Sequence, residues 1–566
     1  MLGITKPQPS VLDILDKLSS KMDLRTKIEE SIRNDKLIVE EQLKLSGIVL
    51  RVLISPVKDG EDEPLGAVVL FHDITKEKAI EALKNYPIYN LYENQANVFA
   101  MFLGFDARTG TLQKSLGTTY KPIVSVGGKR NFSMYMNHED CLRIANIILK
   151  KLQEEPEWVE YATKEIYTRA STLIAFSRKL KNINYKTKSQ AELLTLYQEY
   201  CSLFKEMRVY SSIPMMLEHD TPVLSDLLKE KLNQQVESEN LNNVFSTLSS
   251  PTKISYILQE EIERLKIAAK HAREQNIEQE IKTHTERWNW REYMFEGTPL
   301  TEADFLKQIE EDVKQHKDPE KRKQELEKKQ RNIQEKQQEY IEKYSIPKET
   351  QNFAKIAQEI VYLKYFRKGI FAESYYCVEF LLKEIGEQLG MNLNDVRAMF
   401  DWETEEALTN GITKEKIQEI RKREEFCAFV SYEGKCYPLN EEEATKILKE
   451  NVKEETQMTM TEIKGQVACS GNVQGKVCIV NTVEDMEKMK EGMILTSIMT
   501  HPNLFSAMKR AKGIITDIGG LSCHAAIVAR ELQIPCIVGT KQASKILQDG
   551  MQVELDTNTG TIKIIN

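Results

Sequence analysis

The chain has 566 residues, 29% of them charged and 41% hydrophobic, with a formal charge of −8 and a pI near 5.8. That length calls for three or four domains, and the acidic balance excludes a general nucleic-acid binder. With no apolar run of membrane-spanning length and no signal-peptide core in Met1-Leu2-Gly3-Ile4-Thr5-Lys6, a cytoplasmic protein with no membrane partner is expected.

Residues 1–83 are expected to form a small α/β unit. Val11 to Lys17 and Leu24 to Asn34 read as short amphipathic helices. Leu37 to Val39, Ile48 to Ile54 and Ala67 to Phe71 read as strands, with Asp59-Gly60 turning the chain between the last two. The run Leu65-Gly66-Ala67-Val68-Val69-Leu70-Phe71-His72-Asp73-Ile74-Thr75-Lys76-Glu77-Lys78 resembles the closing strand and Asp-Ile-Thr exit of a PAS sensor domain. Only the later half of that fold is matched, which implies a packing or dimerisation role in place of a ligand pocket.

Residues 84–455 are expected to be a mainly helical central and connector domain. Asp140 to Glu154, Trp158 to Leu180, Ser189 to Val209, Val223 to Gln234 and Thr252 to Ala272 repeat apolar residues every three or four positions, as bundle helices do. Val98 to Val126 reads as irregular or β structure. Val126-Gly127-Gly128-Lys129 reads as a turn, because it lacks the earlier glycine and the following Ser/Thr of a Walker motif.

Trp288, Trp290, Tyr293, Tyr340, Tyr344, Tyr362, Tyr365, Tyr375 and Tyr376 concentrate aromatics here, first as core and alternatively as a stacking surface for a flat substrate. Lys307 to Lys343 reads as a solvated helical hairpin or antiparallel coiled pair and not as a binding tail. Phe380, Leu381, Leu382, Ile385 and Leu389 mark a buried helix face that Gly390 ends. Arg367, Arg421 and Arg423 read first as surface or ion-pair residues and alternatively as groups that reach an anionic ligand, before a hairpin of Phe426 to Val430 and Lys435 to Leu439.

Residues 456–566 carry the most specific signal. Gly513-Ile514-Ile515 reads as a buried strand, Gly519-Gly520 as a tight turn, and Ala525 to Leu532 as a helix. His524 therefore falls where a strand hands over to a helix, where unpaired backbone N–H groups and the helix dipole favour an anion. Nine scattered cysteines without a Cys-x-x-Cys pair point to reduced thiols, and Cys523 beside His524 makes a poor tetrahedral site, so no metal is expected.

The run Thr516-Asp517, Gly519-Gly520, Ser522-Cys523-His524-Ala525-Ala526, Ala529-Arg530-Glu531 and Ile534-Pro535 strongly resembles the phosphohistidine, or swivelling, domain of the enzymes that use phosphoenolpyruvate. Lys464 to Val480, Met493 to Thr496 and the helix Leu504 to Lys512 resemble its opening, and Thr500-His501-Pro502-Asn503 stands at a family Thr-x-Pro turn, where His501 reads as a turn residue. The resemblance implies a multidomain α+β protein: a PAS-like unit, a helical centre and a C-terminal β/β/α swivelling domain.

It implies that His524 takes a phosphoryl group, with Ser522 and Cys523 bonding the phosphate or orienting the ring. Gly519, Gly520, Thr516, Asp517 and Ala525 would frame the phosphate site. It also implies a phosphotransferase or its phosphocarrier subunit.

No ATP-grasp domain or phosphoenolpyruvate barrel is recognisable in the sequence, so no bound cofactor is expected. The donor, ATP with Mg or phosphoenolpyruvate, would sit on a separate ATP-grasp or phosphoenolpyruvate/pyruvate-binding protein, and a small molecule would accept the phosphate. The alternative is a regulatory or sensory scaffold in which the histidine domain is vestigial or receives a signal.

Overall fold

The fold, taken from a computed structural model, is described for residues 22–565 apart from 46–47, 85, 96, 102–106, 129–130, 219–221, 295–296, 317, 453–461, 483, 501–503 and 521–522. It is a mixed α+β arrangement of several sheets around a helical centre. The helix expected at Val11 to Lys17 lies outside the described residues.

Helix α1 (Leu24–Asn34) starts where the Asp23 carboxylate accepts the Thr26 N–H at 3.0 Å. It covers one face of an antiparallel sheet of β1 (Ile38–Leu45), β2 (Ile48–Lys58) and β3 (Pro64–Asp73), burying Val52 and Ile54 against Leu24. Asp59 makes the turn expected there, its Oδ1 accepting the N–H groups of Glu61 and Glu63 at 2.9 Å. Helix α2 (Thr75–Glu81) then packs Ala79 onto a second sheet, and Lys76 pairs with Glu443 at 2.8 Å.

That second sheet was not foreseen as a unit. Its order is β4 (Tyr89–Gln95), β6 (Asn131–Met136), β5 (Ile123–Gly128), β7 (Cys427–Tyr432), β8 (Lys435–Leu439), all antiparallel. Val124 is opposite Val430, so the sheet closes the chain on both sides of the helical region. Gly127 and Gly128 end β5, in keeping with a hairpin and not a phosphate loop.

The helices are α3 (His138–Glu154), α4 (Pro156–Lys181), α5 (Gln190–Ser211), α6 (Ile213–Glu218), α7 (Val223–Leu232), α8 (Ser238–Leu248), α9 (Tyr256–His271), α10 (Glu278–Trp288), α11 (Glu302–Gln315), α12 (Pro319–Lys343) and α13 (Lys348–Leu389). The axis of this region is α13, 42 residues long, lying against α4 and α5 and ended by Gly390 at φ 70°. Trp288, Trp290, Tyr293, Tyr375 and Tyr376 are buried in the core.

Two expectations are corrected here. Phe380 is 40% exposed, because it sits one residue, about 100° of helix, away from the buried Leu381. The segment expected to be a solvated hairpin is two helices that each pack on α9, and the Gln337 amide of α12 is buried, donating to the carbonyls of Thr247 and Ser250 at 2.9 Å.

The C-terminal sheet has the order β10 (Gln466–Cys469), β14 (Cys536–Val538), β13 (Gly513–Thr516), β12 (Ile494–Ser497), β11 (Val473–Ile479), β15 (Gln552–Asp556), β16 (Thr561–Ile565), β9 (Glu462–Lys464). Strands β11 to β14 run parallel, and the outer ones are antiparallel. Strand period 2 sends Ile494 and Ile515 to one face and Leu495 and Ile514 to the other, and both faces are buried. Helix α14 (His524–Leu532) lies on the second face, which shares its core with the helical region.

Candidate active site

The site lies beyond the carboxyl ends of the parallel strands β12 and β13, the edge where such sheets bind ligands. From β13 the chain runs through Asp517, whose backbone N–H bonds Ser497 O at 3.1 Å, and Ile518, whose N–H bonds Ile498 O at 2.9 Å. It then reverses at Gly519, φ 120°, where a Cβ would lie 2.8 Å from the Cys523 side chain. Only glycine fits there without strain. Gly520 lies against Pro222 and the Glu218 carbonyl of the helical region.

Cys523 is the N-cap of α14: its Sγ accepts the Ala526 N–H at 3.4 Å. The thiol is buried, and that burial pushes its pKa up despite the Ala526 N–H and the charges of Lys364 and Arg530. Such a thiol caps and does not attack.

His524 is the first helical residue and half-buried, and its Nδ1 is 2.9 Å from the Thr500 hydroxyl at the end of β12. That bond fixes the orientation of the ring, whose other nitrogen is Nε2. Ala525, 1% exposed, anchors the first turn in the core.

Thr516 and Asp517 stand behind the loop. The Asp517 carboxylate accepts from Thr540 Oγ1 at 2.9 Å, the Ser544 N–H at 3.0 Å and the Ser544 hydroxyl, and the Thr516 carbonyl accepts the Thr540 N–H at 3.0 Å. Both tie the loop to the following turn. Ser522 lies outside the described residues, as does His501.

Thus His524, Cys523, Gly519, Gly520 and Ala525 are brought together, while Thr516 and Asp517 brace them. Thr500 was missed as a partner of His524. Its signal in the sequence is a threonine at the family's Thr-x-Pro turn, beside His501. Among the described residues no group of His, Cys, Asp and Glu side chains is arranged to hold a metal.

Residues 489–560 match the family model of the PEP-utilising enzyme mobile domain. The chain carries a mobile domain of the PEP-utilising enzymes. The chain is 37% identical over 171 residues to a probable phosphoenolpyruvate synthase of Archaeoglobus fulgidus, which is 29% of this chain and 22% of that protein. It is 41% identical over 138 residues to the phosphoenolpyruvate synthase of Pyrococcus furiosus, 24% of this chain and 17% of that protein.

A third relative, the uncharacterized phosphotransferase YvkC of Bacillus subtilis, is 33% identical over 196 residues, 33% of this chain and 23% of the relative. The chain therefore spans less than a quarter of the length of these relatives. The mobile domain is the part held in common with the family model, and it contains Thr500 and His524.

Proposed function

We propose that His524 carries a phosphoryl group between a donor and an acceptor, and that this chain is the phosphocarrier part of a phosphoenolpyruvate-synthase-like phosphotransferase. The observation that carries the reading is the pairing of Nδ1 with Thr500 at the start of α14. With the Nδ1 proton held by the Thr500 oxygen, the Nε2 lone pair attacks phosphorus. An N–P bond forms as the donor's P–O bond breaks, and the leaving oxygen departs with its electron pair.

The ring's positive charge is shared with Thr500, and the phosphoryl oxygens meet the N-terminal end of the helix dipole. In the second half an acceptor oxygen attacks phosphorus and the N–P bond breaks. The donor, ATP with Mg or phosphoenolpyruvate, is bound by a separate ATP-grasp or phosphoenolpyruvate-binding unit. Residues 456–566 act as the swivelling domain, residues 84–455 as its helical support and residues 1–83 as the PAS-like unit.

The test is to incubate the purified chain with labelled ATP or phosphoenolpyruvate, with and without a candidate ATP-grasp protein. Acid-labile, alkali-stable label that is lost in His524→Ala is expected. Label that persists in that variant overturns the assignment, and no label from any donor favours the regulatory scaffold.

A further inference from the structure

Two cysteines face each other at the edge of the C-terminal sheet. In the antiparallel pairing of β10 with β14, Val467 is opposite Ile537 and, past a bulge, Cys469 is opposite Cys536. Residues directly opposite in such a pair have Cα atoms about 4.5–5.5 Å apart, inside the range of about 4.4–6.8 Å that a disulfide spans. The two backbones are pressed together on either side of the pair. A Cβ on Gly465 would lie 2.8 Å from the Val538 carbonyl oxygen, and one on Gly471 would lie 2.7 Å from Pro535 Cγ.

Both side chains are thiols in this structure. They share one face of the sheet, since Cys536 belongs to the core held in common with the helical region and Cys469 packs against that core. Their exposure differs. Cys536 is fully buried, and burial pushes its pKa well up. Cys469 is half-buried, and its thiol donates to the neighbouring Ser470 carbonyl at 3.9 Å. A small oxidant therefore meets Cys469 first.

Arg530 of α14 packs over the pair. Its Nε donates to the carbonyl of Ala468, the residue before Cys469, at 2.9 Å, and its Nη2 is buried without a hydrogen-bond partner among the described residues. Burial lowers the pKa of this guanidinium, and the thiols of Cys523, Cys536 and Cys469 oppose that. A cation beside thiols favours the thiolate, the form that reacts. The third sulfur, Cys523, lies in the same core but is engaged as the N-cap of α14.

We propose that Cys469 and Cys536 are a peroxide-reactive dithiol, which a hydroperoxide closes to a disulfide across β10 and β14. The Cys469 thiolate attacks a peroxide oxygen; an S–O bond forms as the O–O bond breaks, and the departing oxygen takes a proton and leaves as water or an alcohol. The Cys536 sulfur then attacks the Cys469 sulfenic acid. The S–S bond forms, the S–O bond breaks, and the hydroxide leaves as water with the Cys536 proton. Two thiols are oxidised as one peroxide is reduced, and a dithiol reductant reverses the closure.

The pair lies apart from the phosphoryl site and stands whether or not His524 is phosphorylated. Strand β10 ends the sheet, α8 of the helical region packs on it, and Arg530 ties it to α14. The disulfide fastens the strand through which the mobile domain rests on the helical region.

The experiment treats the whole folded chain with rising amounts of hydrogen peroxide, alkylates the remaining thiols and maps the peptides by mass spectrometry. Two of the nine thiols should be lost first, as a linkage of Cys469 to Cys536 within one chain, and dithiothreitol should restore both. In Cys536→Ala the linkage should vanish and Cys469 should stop at a sulfenic acid that dimedone traps. In Cys469→Ser the buried Cys536 should be oxidised about tenfold more slowly or less. Cys523→Ser should keep the linkage, and thermal melts confirm that the three variants fold.

A linkage through Cys523, a linkage between two chains, or a Cys469 that reaches sulfinic acid while Cys536 stays a thiol overturns the proposal. So does a folded chain that loses no thiol, or loses all nine at one rate.

Discussion

Arg421 and Arg423 on the one hand and Lys368 on the other belong to the same helical region and meet opposite surroundings. Arg421 grips Asp395 through Nε and Nη2 at 2.9 and 2.8 Å, and Arg423 grips the buried Glu403, with one bond at 2.7 Å. The carboxylates are held below their usual range, Glu403 by Arg423 in spite of its burial. Lys368 instead is acted on by Arg367 and Lys364, charges of its own sign that with its burial pull its ammonium down to about 8. A cation that finds its carboxylate within its own fold is a brace.

The comparison breaks if the two sets respond alike to truncation. Arg423→Leu leaves the buried Glu403 carboxylate with Lys416 alone, at 3.0 Å, and should lower the unfolding free energy by about 3 kcal/mol in urea titration, the low end for a broken buried pair. Lys368→Met, which removes a repelled charge, should cost less than about 1 kcal/mol under the same conditions. Equal losses would contradict the distinction.

A second paired cluster sharpens it. Glu260 of α9 is buried and bonded by His284 and Arg264 at 3.0 Å and by Arg291. Burial pushes its pKa up, but the His284 bond and the charges of Arg291 and Arg264 outweigh that and hold it at about 2. A carboxyl held lower in the folded than in the unfolded chain stabilises the fold above its unfolded pKa and ceases to do so as pH falls through the folded value. Stability should therefore fall between about pH 4.5 and 2, and the fall should be smaller in Glu260→Gln. An unchanged slope in that variant would remove Glu260 from the account.

What could be read from the sequence follows from the range of the interactions. The strand Gly513–Thr516, the glycine turn and the helix from His524 are local, and periodicity and glycine placement suffice for them. Helix α1 likewise begins and ends where its apolar spacing places it. The five-stranded sheet was not legible, because Val124 and Val430 are paired from opposite ends of the helical region and each strand alone is only a short apolar run.

Lys364 and Lys368 were legible as charges but not as charges that act on Cys523, which is far from them in sequence. Arg367 was read as surface or ion-pair, and its burial corrects the surface reading. Cys523 was read beside the phosphate, and its cap bond to Ala526 shows where its sulfur is engaged. Thr500 required knowing that β12 and β13 lie side by side.

The account turns on which ring nitrogen reacts. Phosphorylating the chain and assigning the linkage by nitrogen–phosphorus coupling in the isotope-labelled protein decides it. Phosphate on Nε2 of His524, with Nδ1 still protonated toward Thr500, is the predicted result; phosphate on Nδ1, or on any other residue, would contradict it.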